Sequence, residues 1–309
     1  MMAVGLLAGA ALDQVIGDPR RGHPVAVFGG AASRLEARMW RDSRASGAVY
    51  TVALTGAAAA LGVAAGRARG PRLAAVTALA TWTVLGGRSL AAEARAVDEL
   101  LGERDLPAAR RRLSHLVGRR TEHLDESEVA RAVVESVAEN TSDAVVAPLF
   151  WGAVAGLPGL LAYRAVNTLD AMVGHHSPRY ERFGWAAARA DDVANYLPAR
   201  LTALLTAAVA PLCAGSTRGA LAVTRADGRR HPSPNAGMCE AAFAGALGIR
   251  LGGRNDYGGR VEDRPVLGGG GKPPTEGDIH RAIRLSQAVT AAAALACGTL
   301  AVVIRRRGK

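Results

Sequence analysis

ENTSDAVVAPLFWGAVAGLPGLLAYRAVNTLDAMVG, residues 139–174, followed by ARADDVANYLPAR at residues 188–200, is the stretch that decides the fold. Its centre, Ala144 to Tyr163, is an uncharged run of 20 residues interrupted by Pro148 and Pro158. Twenty residues at the helical rise match the hydrocarbon thickness of a bilayer. Prolines that break a soluble helix are tolerated in a membrane bundle, where neighbours satisfy the freed carbonyls. Carboxylates, amides and arginines crowd both ends of the run. Polar groups buried in hydrocarbon without partners cost several kcal/mol each, so this pattern places them at the edge of a bilayer.

Other apolar runs extend the pattern. Gly47 to Gly66 and Leu73 to Gly87 carry no charge and are separated by Arg67, Arg69, Gly70, Pro71 and Arg72, which predicts a transmembrane hairpin with a basic turn. Leu201 to Thr217 is a further candidate span, and Leu285 to Ile304 is followed by Arg305, Arg306, Arg307 and Lys309. The excess of basic residues predicts that the turn and the C-terminus face the cytoplasm. One full crossing before that last span would then leave 218–284 outside, unless one span is re-entrant or does not cross. Between the spans lie two polar, water-facing regions, 88–143 and 218–284. The first predicts three amphipathic helices, Ser89 to Gly102, Leu106 to Val117 and about Asp125 to Glu139. The fold class expected is all-α: a multi-pass helical bundle forming one membrane-embedded catalytic domain over 1–309, with a water-facing helical insertion.

Composition supports this. The chain is 49% apolar but only 4% aromatic, and small residues are what let membrane helices approach closely. The formal net charge is +11, and of 38 basic residues only Lys272 and Lys309 are lysine. Arginine suits phosphate and carboxylate groups because its planar fork bonds them in pairs, which points to an acidic substrate or anionic lipid. No basic stripe is interleaved with aromatics, which argues against nucleic acid. Cys213, Cys239 and Cys297 lie far apart without zinc-finger spacing and are expected to be apolar fillers in a reducing compartment. The run Met1 to Leu12 lacks the positive start of a cleavable signal and reads as a first helix.

Several constellations carry chemistry. In DQVIGDPRRGHPVAVFG, Asp13 to Gly29, the glycines and prolines predict an irregular turn bearing Asp18, Arg20, Arg21 and His23, and residues 33–44 a charged helical connector. Glu128, Glu135, Glu139 and Asp143 recur at spacings of seven and four, one helical face if the helix persists, which Arg131 partly neutralises. Arg164, Asn167 and Asp170 recur every three residues on neighbouring parts of one helix. Arg189, Asp191, Asp192, Asn195 and Arg200 fall within four turns. Hard oxygen ligands of this kind hold Mg²⁺ on phosphate, or else pair with the flanking arginines. Glu240 stands in an otherwise apolar stretch, a functional candidate if that stretch enters the membrane. The run Gly268 to Lys272 fails the phosphate-loop pattern, since Val266 occupies the first glycine position and Pro273 follows the lysine; it reads as a flexible turn.

GDPRRGHPV at 17–25, ENTSDAVVAPLFW at 139–151, YRAVNTLDAMVG at 163–174, FGWAAARADDVANYLPARL at 183–201, and HPSPNAG with EAAFAGALGIRLGG together resemble the CobD/CbiB family of cobalamin biosynthesis, the adenosylcobinamide-phosphate synthases. The blocks are collinear and cover most of the chain. They depart from the family at Met238 and Cys239, where Trp-Pro is expected after the Asn-Ala-Gly turn. The resemblance implies a multi-pass enzyme of the cell (cytoplasmic) membrane. It would be an ATP-dependent ligase joining the propionate carboxylate of adenosylcobyric acid to the amine of aminopropanol or its O-phosphate. The product is adenosylcobinamide or its phosphate. ATP and Mg²⁺ activate the acid, with an acyl phosphate as intermediate, and association with other late cobalamin-pathway membrane enzymes is expected alongside membrane lipid.

With that chemistry in view, Asp143, Asp191 and Asp192 are assigned to Mg²⁺–nucleotide binding, by analogy with phosphate-activating sites. Arg164, Arg189 and Arg200 are assigned to phosphoryl charge. Glu139 or His23 takes the amine proton. Asp18, Asn140, Asn167, Asp170, Asn195 and Asn235 orient or bind substrate or nucleotide. A Mg²⁺-dependent membrane prenyltransferase is the competing enzyme class, weakened because NTLDAM and DDVAN do not form two repeated DDxxD boxes. A small-molecule transporter is weakened by the absence of an internal repeat.

Overall fold

The computed structural model describes residues 1–19, 22–256 and 261–307, so Arg20, Arg21 and Lys309 of the sequence reading lie outside the described residues. In chain order the helices are α1 (Met2–Ile16), α2 (Pro24–Met39), α3 (Arg44–Ala65), α4 (Gly70–Val84), α5 (Gly87–Gly102), α6 (Leu106–Leu113) and α7 (Glu126–Thr141). They continue with α8 (Ala147–Leu169), α9 (Trp185–Val209), α10 (Thr217–Asp227), α11 (Ala236–Leu247) and α12 (Glu276–Arg307). Strands β1 (Leu251–Asp256) and β2 (Val261–Leu267) pair antiparallel. Among the described residues, five helical stretches are long and apolar enough to cross a membrane: Arg44–Ala65, Gly70–Gly102, Glu126–Gly174, Trp185–Cys213 and Glu276–Arg306. The protein is an all-α, multi-pass membrane protein with one small β-hairpin that the sequence did not announce. Its contacts separate two compact units. The first comprises Met1–Gly86, Asp143–Asn195 and Ala293–Lys309, the second Gly87–Ser142 and Tyr196–Ala292.

The first unit is organised by α8, which is not one rod. Gly156 takes φ 68° and ψ −155°, and Pro158 follows, so the helix breaks there into arms 147–155 and 157–169. A continuous helix would separate residues 143 and 163 by about 30 Å at 1.5 Å per residue. Instead the Tyr163 hydroxyl oxygen lies 3.1 Å from the Asp143 carbonyl oxygen. A Cβ on Gly152 would touch the Leu160 side chain at 3.6 Å. The apolar run Ala144 to Tyr163 therefore folds back on itself as a re-entrant helical hairpin, and this corrects the expectation of a single span. Each arm covers roughly 15–20 Å at the helical rise, short of a crossing. π-helical turns, Ser142–Val146 and Asp170–Gly174, close the two arms at the open end, each carrying a candidate aspartate. Such turns recur at functional sites.

Small residues let neighbours press on this hairpin. A Cβ on Gly62 of α3 would fall 2.6 Å from the Leu157 carbonyl and from Pro158. Gly5 and Gly9 of α1 sit equally close to Thr77 and Thr81 of α4. This is how membrane helices gain packing where hydrophobicity cannot drive it. At the open end Tyr50 and Phe183 stack at 5.1 Å between ring centroids within a core of Ala32, Leu169, Val173 and Ala187. The large apolar side chains left outside, including Val49, Val52, Leu61 and Val63 of α3, are the lipid-facing surface. α1 ends at Ile16, and α2 starts at Pro24, a favourable first-turn position, with His23 as its cap.

In the second unit, α5, α6 and α7 match the three predicted amphipathic helices, and α7 begins in a capping box between Asp125 and Glu128. The span predicted from Leu201 lies within a longer helical stretch, since α9 starts at Trp185 and runs unbroken to Val209 with Pro198 inside it, and the stretch to Cys213 is long and apolar enough to cross a membrane. The carboxylate face predicted on α7 is divided. Glu135 is buried, accepting from Arg119, Arg131 and the Gly252 N–H, which ties α7 to β1. Cys213 and Cys239, and Cys297 of the first unit, are buried, and no disulfide joins them among the described residues.

Candidate active site

The open end of the α8 hairpin gathers seven of the predicted residues, all within the first unit. Arg164 ends the turn after Tyr163, and its guanidinium interacts electrostatically with Asp18, from the α1–α2 turn, and with Asp143. Its Nη1 reaches Asn167 Oδ1 at 3.5 Å, while its Nε is buried without a hydrogen-bond partner among the described residues. Beside it runs a hydrogen-bonded chain. Tyr163 donates to Asn195 Oδ1 at 2.8 Å, Asn195 donates to Asp191 at 2.9 Å, and Asn167 donates to the other Asp191 oxygen at 3.3 Å. Asn195 and Tyr163 are fully buried, so this chain fixes the α8 arm against α9. Fully satisfied buried networks of this kind rigidify a site.

His23 faces Asp18 at 3.8 Å through Nε2, and its Nδ1 accepts the Val25 N–H at 3.2 Å. With Nδ1 acting as acceptor, the neutral ring carries its proton on Nε2 and presents N–H to Asp18. That favours anchoring of the turn over proton abstraction. Asp170 lies in the second π-turn with its carboxylate against Gly174, where any side chain would collide with it. Asp192 turns outward and pairs with Arg189 at 3.7 Å.

The remaining candidates belong to the second unit. Arg200 donates to Asn235 Oδ1 at 3.0 Å and to the Pro234 carbonyl at 3.2 Å, and it stacks 3.5 Å from the Tyr196 ring centroid. Asn140 is absorbed by its own helix, donating to the Ser136 carbonyl at 2.9 Å. Glu139 acts electrostatically on Glu240. Glu240 is 1% exposed; Oε2 has no hydrogen-bond partner among the described residues, and Oε1 lies 3.9 Å from His231 Nε2. Burial first, then Glu135 and Glu139, hold the Glu240 carboxyl well above the usual carboxylate range. Burial first, then Arg264, pushes His231 down. Burial thus disfavours the charged form of both, despite a spacing compatible with an ion pair.

Among the described residues, no three His, Cys, Asp or Glu side chains form a group able to hold a metal ion. Asp191 is already engaged by two amides and Asp192 by Arg189. The donor set thus suits an ion that arrives on a phosphate and needs one or two protein carboxylates, rather than a protein-only cage. Sequence reasoning passed over Tyr163, which links two arms of the site. It also passed over Asp13, fully buried in α1 and accepting from Gln14 at 2.8 Å. A carboxylate inside an apolar run was the available signal.

Fold and site define a helical membrane protein whose re-entrant hairpin carries a buried arginine that interacts electrostatically with two carboxylates. A family model described as CobD/Cbib protein matches residues 6–286. The chain belongs to the CobD/CbiB family of cobalamin biosynthesis. It is 53% identical over 306 residues to the cobalamin biosynthesis protein CobD of Mycobacterium tuberculosis H37Rv, covering 99% of this chain and 97% of the relative. It is 44% identical over 278 residues to the protein of the same name from Geobacter metallireducens, covering 87% of each. The corresponding Pelobacter propionicus protein is 43% identical, with 99% of this chain and 96% of the relative covered. No solved structure matches.

Proposed function

We propose that this protein forms the amide bond between the propionate carboxylate of adenosylcobyric acid and the amine of aminopropanol or its O-phosphate, at the cell membrane and at the expense of ATP. The observation that supports it most is Arg164, a guanidinium whose buried Nε has no hydrogen-bond partner among the described residues and which interacts electrostatically with Asp18 and Asp143. Carboxylate and amine form a salt in water rather than an amide, so the acid must be activated. Attack of the carboxylate oxygen on the terminal phosphorus of ATP gives an acyl phosphate and ADP. Attack of the amine then forms the C–N bond, expels inorganic phosphate and releases one proton.

Arg164 is suited to neutralise charge on the transferred phosphoryl group, because its planar fork bonds phosphate oxygens in pairs. Asp18, whose Oδ1 is buried without a hydrogen-bond partner among the described residues, is placed to take the amine proton. Asp143 would provide a carboxylate to Mg²⁺ accompanying the nucleotide, an ion that supplies charge neutralisation on the phosphates. The Tyr163–Asn195–Asp191–Asn167 chain holds Arg164 in register. Membranes containing the protein should convert adenosylcobyric acid only when ATP, Mg²⁺ and the aminoalcohol are all present. Turnover without nucleotide would overturn the mechanism.

A further inference from the structure

We infer that the closed end of the α8 hairpin is a binding site for anionic phospholipid, formed by a collar of arginines. Arg67 and Arg69 lie in the α3–α4 turn, Arg72 in the first turn of α4, and Arg305 and Arg306 near the end of α12; all five are exposed. Packing within the first unit brings them to one end. Gly62 of α3 meets Leu157 and Pro158 at the hairpin turn, and Gly5 of α1 meets Ala74 and Thr77 of α4. The Arg305 Nη2 and the Met2 Cε both lie 3.4 Å from where a Cβ on Gly156 would stand.

In the first unit, residues 1–12, 43–86, 144–169 and 293–307 contain no aspartate or glutamate. Among the described residues none of the five guanidinium groups is paired with a carboxylate. Below the collar lies a skirt of exposed apolar side chains, Leu61, Val63, Val302, Val303 and Ile304. A cationic ring over an apolar wall matches a ligand that is itself anionic at one end and apolar along its length. Guanidinium groups bond phosphodiester oxygens in pairs, and the acyl chains take the wall. A soluble acidic protein would leave that wall uncovered.

The test uses the full chain purified in mild detergent and titrated with fluorescent phosphatidylglycerol or phosphatidylcholine at low salt. Phosphatidylglycerol is expected to bind at least about tenfold more tightly. R67Q/R69Q/R72Q is expected to weaken it about a hundredfold, near fivefold per arginine, and R305Q/R306Q about twenty-five-fold. R34Q/R38Q on α2 should leave it unchanged. Equal binding of the two lipids, or equal loss in the α2 variant, would overturn the proposal, as would complete displacement by 100 mM inorganic phosphate. Since the collar is remote from Arg164, ATP-dependent turnover in the triple variant checks that the protein remains folded, and its absence from wild type would count against the proposed reaction and not against lipid binding.

Discussion

Replacing Glu240 with Gln should make the protein more stable at neutral pH and leave it unchanged in acid. Glu240 is on a 12-residue helix too short to cross a bilayer, and the groups facing it are His231, Glu135, Glu139, Arg264 and Arg119. Burial is the largest cause of its raised pKa, and one carboxyl oxygen has no hydrogen-bond partner among the described residues. Below its ordinary value of 4.5 the carboxyl is protonated in folded and unfolded chains alike and contributes no difference. As pH rises past that value the unfolded chain releases the proton while the folded chain retains it. Stability therefore falls by about 1.4 kcal/mol per pH unit until the folded group titrates, after which the loss is constant. Gln keeps the shape and cannot ionise, so the slope disappears. His231, held neutral by burial, acts in the opposite sense: it costs stability as pH falls below its ordinary 6.5. Both proteins share that term, so their difference isolates Glu240. Thermal unfolding in detergent between pH 4 and 8.5 reads it. A variant less stable than wild type at pH 8, or one with the same slope, would refute the assignment of a buried neutral acid.

Further outcomes follow from the same geometry. R164Q should lower ATP-dependent turnover by at least about a hundredfold, the scale of removing a charge-assisted contact to a transferred group, with partial recovery in R164K; unchanged turnover removes Arg164 from the mechanism. Y163F leaves Asn195 Oδ1 buried without its donor, so a loss of about 1–3 kcal/mol in unfolding experiments is expected, together with a lower kcat. G62V drives a branched side chain into the Leu157 carbonyl and should destabilise by about 1–3 kcal/mol, whereas G56V, which meets open space, should not. Use of cytosolic ATP requires the Arg164 end to face the cytoplasm, and the opposite face would then carry the Arg67–Arg72 turn, against the positive-inside expectation. Labelling of A68C by a membrane-impermeant thiol reagent on intact cells decides between them.

The helices were legible because their signals are local. Amphipathic periodicity placed a helix from about Asp125, where α7 begins, and uncharged runs marked α3, α4 and α12. Among the residues singled out in the family blocks, Asp18 and Asp143 act electrostatically on Arg164, Asn167 lies beside it, and Asp191 and Asn195 join through hydrogen bonds to Asn167 and to each other. What escaped was tertiary. Hydropathy weighs Ala144 to Tyr163 as twenty apolar residues and is blind to one positive φ at Gly156. Asp191 and Asp192 are adjacent in sequence, yet one faces two amides and the other a solvent-exposed arginine, because successive helical positions point about 100° apart.

The reversal at Gly156 also alters how the topology of this chain should be counted. A segment that enters and leaves by one face adds nothing to the parity of crossings. An algorithm that scores it as a full traverse therefore inverts the assigned compartment of everything downstream. Reporter fusions placed just before Asp143 and just after Asp170 should consequently report the same compartment.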